Sequence, residues 1–416
     1  MTGVCFAHLG NEVTCVDNDE KKIGVLKTGK VPFYEPGLEE LLKENLKKVY
    51  FTTSIAEGVE RGELIFIAVP TPAKPDGEAD LCYVEAVSRE IAEALKDYRL
   101  IVEKSTVPVE TGKWIKHILQ SYGKEGKFDV ASNPEFLREG QAVHDFLHPD
   151  RIVLGVENER AKKVLLELYK PISAPVIVTE LSSAEIIKHA ANCFLALKIS
   201  YINAIANICE LVGGDVAKVA EGMGLDSRIR RDFLNAGIGW GGSCFPKDVN
   251  AFIRIAAKSN YNFKLLKAAR EINRQQVDSV IKKASENLWN LKNKTIGVLG
   301  LSFKPDTDDI RESPAIGVVK RLLAAGARIK AYDPQAMEEA RKVLSGVEFC
   351  RGPEEVASQS DALLILTAWE EFKNLPMGKI KNLLKNPLII DGRNMFDPQE
   401  MKSLGITYVS IGRKTT

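Results

Sequence analysis

Apolar residues follow a strand-like pattern towards both ends of the chain and a helical one in the middle. Short runs at 12–17 (EVTCVD), 64–69 (LIFIAV), 99–105 (RLIVEKS), 128–132 (FDVAS), 152–156 (IVLGV) and 176–179 (VIVT) predict buried strands. Helical periodicity fills most of the intervals, as at 36–48 and 83–97, and strands alternating with helices imply a parallel sheet. A helix-rich block follows over 183–285. It opens on Ser182-Ser183-Ala184-Glu185, a capping-box pattern, and its first apolar-periodic run continues to Gly213-Gly214. That run is roughly 30 residues, or ~45 Å as helix, the length of an element that spans between domains or subunits. Strand-like runs return at 294–300, 328–332, 347–350, 362–367, 387–391 and 406–411. The layout is α/β, then α, then α/β, and the two ends echo each other in Gly10…Asp17 and Gly326…Asp333.

Composition narrows the class of protein. The 416 residues carry 57 Lys and Arg against 56 Asp and Glu, a net charge of +1, which argues against a dedicated nucleic-acid binder. A hydrophobic content of 45% and a charged content of 27% are ordinary for a globular protein and argue against disorder. The longest unbroken apolar run, 64–69, is far below the ~20 residues of a membrane helix. Seven cysteines at wide spacings, an odd count without C-x-x-C, suggest free thiols in a reducing compartment. With no signal-peptide pattern, the expected location is the cytoplasm.

The front of the chain is unusual for a dinucleotide-binding unit. There an acidic residue closing the second strand holds a ribose, about 20 residues after the first glycine of the phosphate loop. Asp17 closes EVTCVD, and counting back passes Met1. The expectation is a chain that begins inside the first helix, with its first strand and glycine loop absent. Alternatively, Asp17 is a strand-end turn residue.

Several motifs carry candidate chemistry. In Gly237-Ile238-Gly239-Trp240-Gly241-Gly242-Ser243-Cys244-Phe245-Pro246-Lys247-Asp248, the glycines allow close backbone approach to a ligand and Pro246 suits the first position of a helix. Cys244 then lies near a helix N-terminus and beside Lys247, which favours thiolate and suits a covalent nucleophile; the alternative is a small buried turn cysteine. In Ser132-Asn133-Pro134-Glu135-Phe136-Leu137-Arg138-Glu139-Gly140, Asn133 suits an N-cap and Pro134 the first helical position, so Glu135 and Glu139 fall on one helix face. One could activate water while the other contacts ligand, or both could simply favour a helix N-terminus. Lys188 and Asn192, four apart on the long helix, could serve as proton or oxyanion partners, or Lys188 could snorkel. Thr71 and Thr106 follow strands and place hydroxyls at their carboxyl ends, or serve as turn residues. Lys304 and Arg311, in a loop before Ser313-Pro314, could meet phosphates or line a solvated loop. His144 and His148 do not form H-E-x-x-H, so no metal is expected, and no Walker-type phosphate loop occurs.

These residues together resemble the UDP-glucose 6-dehydrogenase family, within the wider UDP-sugar and GDP-mannose dehydrogenase group. The resemblance runs in order through PFYEPGLEELL (32–42), AVPTP (68–72), KSTVPVETG (104–112), SNPEFLREG (132–140), EIIKHAANCFLALKISYINAIANIC (185–209), GWGGSCFPKD (239–248) and GLSFKPDTDDIRESP (300–314). It implies an α/β fold of two Rossmann-like parallel-sheet domains joined by a long central helix and a helical middle domain. The NAD-binding domain would be 1–181, the helical dimerisation domain with the cysteine loop 182–290, and the UDP-sugar-binding domain 291–416. It further implies NAD as cofactor, a UDP-sugar substrate, a homodimer or higher homo-oligomer, and no metal, nucleic acid or membrane partner.

The implied reaction is a four-electron oxidation of UDP-glucose to UDP-glucuronate through a thiohemiacetal and then a thioester on Cys244. Lys188 and Asn192 would handle the proton and oxyanion, and Glu135, Asp248 and a water held by Thr106 would assist hydrolysis. The cofactor contacts would be Asp17, Lys22, Thr71, Thr106, Glu139, Lys247 and Arg311. The substrate contacts would be Glu135, Phe136, Leu137, Lys188, Asn192, Phe233, Leu234, Asn235, Gly237, Gly241, Lys304 and Arg393, with Arg228 from a neighbouring subunit. The alternatives are the same chemistry on a UDP-N-acetylhexosamine or GDP-mannose, and a truncated sugar-nucleotide-binding form without turnover. Family members start with a strand and G-x-G-x-x-G loop ahead of Thr2-Gly3-Val4-Cys5; their absence implies either a mis-assigned start site or a true truncation that weakens NAD binding.

Overall fold

Most apolar runs fold as the strands they predict. The computed structural model describes residues 1–72, 74 and 77–415. It divides into one compact unit of residues 1–191 and 250–261 and another of 192–249 and 262–416. The helical block expected at 182–290 is thus shared between the two.

In the first unit, β1 (Val13–Val16) pairs in parallel with β2 (Val49–Thr52). A separate sheet contains β3 (Leu64–Ile67), β4 (Arg99–Glu103), β5 (Phe128–Ser132), β6 (Ile152–Val156) and β7 (Val176–Thr179), in that order. Its pairs are parallel except β5–β6, which is antiparallel. The β2 strand escapes the sequence pattern because Val49-Tyr50-Phe51-Thr52 directly follows a helical repeat with no intervening Gly or Pro. The core under both sheets joins Val4, Cys5 and Phe6 of the first helix with Leu42, Phe51, Leu100, Val102 and Leu154. Phe6 sits at its centre, 5.1 Å from the Phe146 ring and 5.3 Å from Phe66.

In the second unit, β8 (Thr295–Leu299), β9 (Arg328–Tyr332), β10 (Val347–Phe349), β11 (Ala362–Ile365), β12 (Leu388–Asp391) and β13 (Thr407–Ser410) form one parallel sheet. Its order is β10-β9-β8-β11-β12-β13, the doubly wound order 3-2-1-4-5-6. The central strands are continuous apolar runs, as a sheet covered by helices on both faces requires.

The helix Leu181–Val212 has 32 residues, as its periodicity predicts. The capping-box reading of its start needs correction. Glu185 does not turn back on its own helix; its carboxylate accepts from the backbone N–H groups of Glu110 (2.7 Å) and Gly112 (2.9 Å) at the start of the helix Thr111–Ser121. Those are orphan donors of a helix end without a side-chain cap of its own. The long helix is also apolar enough, at mean hydropathy 1.4 over 18 residues, to pass a length-and-composition test for a membrane span. It escapes an unbroken-run criterion because Lys188, His189, Asn192, Ser200 and Asn203 interrupt it. These side chains are buried and hydrogen-bonded or ion-paired within the protein.

Candidate active site

Two strand ends in the first unit offer cofactor chemistry. Asp17 follows β1, and its carboxylate pairs with Lys22 and accepts the Asp19 N–H at 3.1 Å. Partial burial pushes its carboxyl up, but Lys22 and the Asp19 N–H outweigh this and hold it below the ordinary range. Its side chain is 27% exposed, so a ribose diol could reach it. Asp333, its counterpart after β9, is 1% exposed and consumed internally. It accepts from the N–H groups of Leu301, Ser302, Gln335 and Ala336, from the Ser302 hydroxyl and from Trp369 Nε1. Of two topologically equivalent acids, only Asp17 is available to a dinucleotide ribose. Thr71 and Thr106 meet at the carboxyl ends of β3 and β4, where the Thr71 hydroxyl donates to Thr106 O at 2.8 Å. That edge is where parallel α/β sheets bind ligands.

The segment 133–138, expected as a helix start, is instead an irregular loop. Asn133 is therefore no N-cap, and Glu135 and Glu139 do not share a helix face. The loop is held by side chains that satisfy its backbone one group at a time. Glu35 accepts from the N–H groups of Gly140 (2.8 Å) and Ala142 (2.7 Å). Asp145 accepts from the Arg138 N–H (2.9 Å) and also binds its guanidinium, and Glu135 accepts from the Leu137 N–H (2.6 Å). Asn133 donates to Val153 O at 3.0 Å and accepts from Lys104 Nζ at 3.0 Å and from the Tyr169 hydroxyl. These acceptors replace the helical ladder that the local sequence alone would favour.

This loop presents Glu135 to the long helix. Lys188 Nζ, in a side chain only 3% exposed, lies 2.9 Å from Glu135 Oε1. Burial drives the Glu135 carboxyl up; Lys188, the Leu137 N–H and Lys104 reverse this and hold it below the usual glutamate range. Phe136 carries two cations over its ring, Arg151 at 3.7 Å from the centroid and Lys188 at 5.4 Å. Leu137 and Glu139 are half-buried on the same loop.

The second unit gathers the thiol and an amide–carboxylate pair. Cys244 immediately precedes the helix Phe245–Lys258, and its carbonyl accepts the Asp248 N–H at 2.8 Å, so it is the N-cap. Pro246 is the second helical residue, not the first, and still lies where a missing N–H is harmless. Cys244 is half-buried, with Ser243 Oγ 3.4 Å from its sulfur. Asn192 Nδ2 donates to Asp248 Oδ2 at 2.6 Å, and Lys247 Nζ lies 3.4 Å from the other Asp248 oxygen. Asp248 is 1% exposed.

The glycines before Cys244 let chain segments pack closely. A Cβ at Gly237 would press on Gly392 O, at Gly241 on Glu312 O, and at Gly242 on the Phe303 ring. The N–H groups of Gly237, Trp240 and Gly242 are spent on Asn203, Asn273 and Arg311 O. Arg393 ties the same loops together, donating to Leu366 O (2.7 Å), Gly239 O (3.2 Å) and Phe303 O (3.4 Å). Burial lowers its guanidinium to about 10 despite Asp391 nearby. Phe233 takes a left-handed backbone (φ 63°), with Leu234 buried and Asn235 exposed beside it. Lys304 is half-buried, 5.7 Å from the Phe303 ring centroid. Arg311 and Arg228 are exposed and paired with their own neighbours, Asp309 and Asp226.

Similarity to known proteins runs along these same segments. Models of the UDP-glucose/GDP-mannose dehydrogenase family match residues 1–173 (NAD binding domain), 182–275 (central domain) and 297–398 (UDP binding domain). The chain is 50% identical over 417 residues to the UDP-glucose 6-dehydrogenase TuaD of Bacillus subtilis (strain 168), covering 99% of this chain and 90% of that protein. It is 44% identical over 422 residues to the UDP-glucose 6-dehydrogenase of Rhizobium meliloti (strain 1021), covering 99% and 97%. A solved UDP-glucose dehydrogenase from the hyperthermophilic archaeon Pyrobaculum islandicum matches with TM-score 0.93 at 39% identity, over 99% of this chain and 95% of that one. NAD is therefore the cofactor, and the accessible Asp17 after β1 fits its ribose. With an NAD-binding, a central and a UDP-binding segment matched in order, the chain belongs to the UDP-glucose/GDP-mannose dehydrogenase family of NAD-dependent oxidoreductases.

Proposed function

We propose that this protein oxidises the C6 alcohol of UDP-glucose to a carboxylate, giving UDP-glucuronate, through a covalent bond to Cys244. The observation that carries the reading is Cys244 at the N-cap of a 14-residue helix, in the same unit as the buried Asn192–Asp248 pair. Negative charge on sulfur there meets the positive end of the helix dipole. NAD, when bound, would supply the hydride acceptor for each of the two oxidations, and one water is consumed. Cys244 adds to the aldehyde as a thiohemiacetal, is carried forward as a thioester, and is released by water as the acid forms. Lys188, with Asn192 Nδ2, handles the proton of the alcohol and stabilises the developing oxyanion. Glu135, Asp248 and a water on Thr106 assist thioester hydrolysis.

Asp17, Lys22, Thr71, Thr106, Glu139, Lys247 and Arg311 are assigned to NAD. Phe136, Leu137, the 233–237 loop, Gly241, Lys304 and Arg393 are assigned to the sugar nucleotide. The protein works as at least a dimer, with Arg228 acting on the partner's substrate. The support is an apolar stripe on the long helix: Phe194, Tyr201 and Ile208, seven residues apart, and Leu211 and Val212 are all exposed in the single chain. Seven cysteines at wide spacings, an odd count without C-x-x-C, suit a reducing, cytoplasmic setting. A substrate panel followed by NADH absorbance tests the reading. UDP-glucose should exceed UDP-N-acetylglucosamine and GDP-mannose in kcat/KM by roughly 100-fold or more. Preference for either of the others overturns the substrate assignment.

A further inference from the structure

Lys104 has no role in the reaction as proposed above, yet its setting is unusual. It follows β4 at the carboxyl edge of the sheet and is 6% exposed. Its ammonium donates only to neutral oxygens, Asn133 Oδ1 at 3.0 Å and Asn133 O at 3.4 Å. No carboxylate among the described residues lies within ion-pair distance of it. Burying a charge without direct pairing is costly, and lysines are almost never fully buried without a partner. Burial lowers this ammonium to about 8; Glu135 opposes that shift and Lys188 adds to it.

The neighbours make the setting specific. Asn133, which holds Lys104, begins the loop that carries Glu135 two residues later. The same Asn133 is fixed by Tyr169 and Val153. Tyr169 is buried, which drives its phenol well above the ordinary range and keeps it a neutral donor. Glu103 precedes Lys104, and burial raises its carboxyl to about 8. Arg151 lies over the ring of Phe136, the residue after Glu135. Glu135 therefore contacts one buried ammonium, Lys188, and shares its loop with the amide that anchors a second, Lys104.

We infer that Lys104 is a positioning residue. Its ammonium, anchored on Asn133, keeps Glu135 ionised and its loop in register with Lys188, so that Glu135 is a competent base during thioester hydrolysis. The mechanistic half of this inference rests on the function proposed above; the electrostatic half stands without it.

The test reads the coupling directly, in the full-length protein without substrate. Side-chain carboxyl carbons of glutamate are labelled with ¹³C, and Glu135 is assigned by its loss in Glu135→Gln. In Lys104→Met, similar in length but uncharged, the Glu135 midpoint should rise by about one pH unit. Coupling is reciprocal, so in Glu135→Gln the labelled Lys104 ammonium should titrate below its wild-type midpoint by a similar amount. The second variant reports the same interaction if Lys104→Met does not fold. Midpoints unmoved in the folded variants overturn the inference. With UDP-glucose, Lys104→Met should move the acid limb of kcat to higher pH with KM little changed, which a merely structural role would not do. If wild-type protein does not oxidise UDP-glucose while the two titrations stay coupled, the functional reading falls and the electrostatic assignment stands.

Discussion

Glu103 illustrates what a single buried group does to this protein. It ends β4 at 1% exposure. One oxygen accepts the Ser105 N–H at 2.7 Å, and the other has no hydrogen-bond partner among the described residues. Burial, with Glu185 adding to it, raises its carboxyl from an ordinary 4.5 to about 8, against the opposing Ser105 bonds. A carboxyl raised in the folded state contributes stability that is complete below its unfolded value and is lost as pH climbs through the folded one. The loss between about pH 5 and 8 is on the order of a few kcal/mol. Glu103→Gln should remove that slope, so that Tm falls less between these pH values than in wild type; an unchanged slope would show that Glu103 is not the group responsible.

Residues of this kind were the least legible in the sequence. Cys244, Asn192, Asp248, Glu135 and Lys188 announce themselves by local spacing. Lys104 does not, because its partner Asn133 lies 29 positions away. In the KST segment the hydroxyls stand at the carboxyl end of a strand, and local spacing gives the lysine beside them no partner.

Elements were legible where their hydrophobic period was unbroken. Strands β5, β6, β7 and β9 coincide with their apolar runs, and the 32-residue helix ends at its glycine pair. The misreadings occur where distant side chains decide the local backbone. Asn133-Pro134 has helix-start chemistry, but Asn133 is claimed by Lys104, Tyr169 and Val153. Glu35, 105 residues before Gly140, then replaces the helical acceptors with its own carboxylate. That clamp yields an element-scale prediction. Glu35→Ala removes both acceptors, at a cost of about 1–3 kcal/mol each for a buried donor left unpaired. The Gly140 and Ala142 amides should then exchange with solvent roughly tenfold faster or more, while amides in the second unit are unaffected. Unchanged exchange at Gly140 would mean that Glu35 does not hold the loop.

At the scale of the whole molecule, two strand-end acids differ in setting. Asp17 is half-exposed after β1, whereas Asp333 is buried and fully occupied after β9. This difference, invisible in the echo between Gly10…Asp17 and Gly326…Asp333, agrees with the NAD binding domain matched over residues 1–173. The glycines near Cys244 tell a similar story. Their sequence suggests an open cradle, but in the fold Gly241 and Gly242 let two loops of the second unit pack against each other. The packing reason for these glycines is readable only once distant chain segments are in place.

The central claim is that one polypeptide carries the alcohol to the acid through Cys244. The most direct measurement is the NADH formed from a limiting, known amount of UDP-glucose with excess NAD, in wild-type protein and in Cys244→Ser. The account predicts two NADH and one UDP-glucuronate per sugar in wild type, and no free acid from Cys244→Ser, which should still bind UDP-glucose. One NADH per sugar in wild type, or undiminished acid formation by Cys244→Ser, would contradict it.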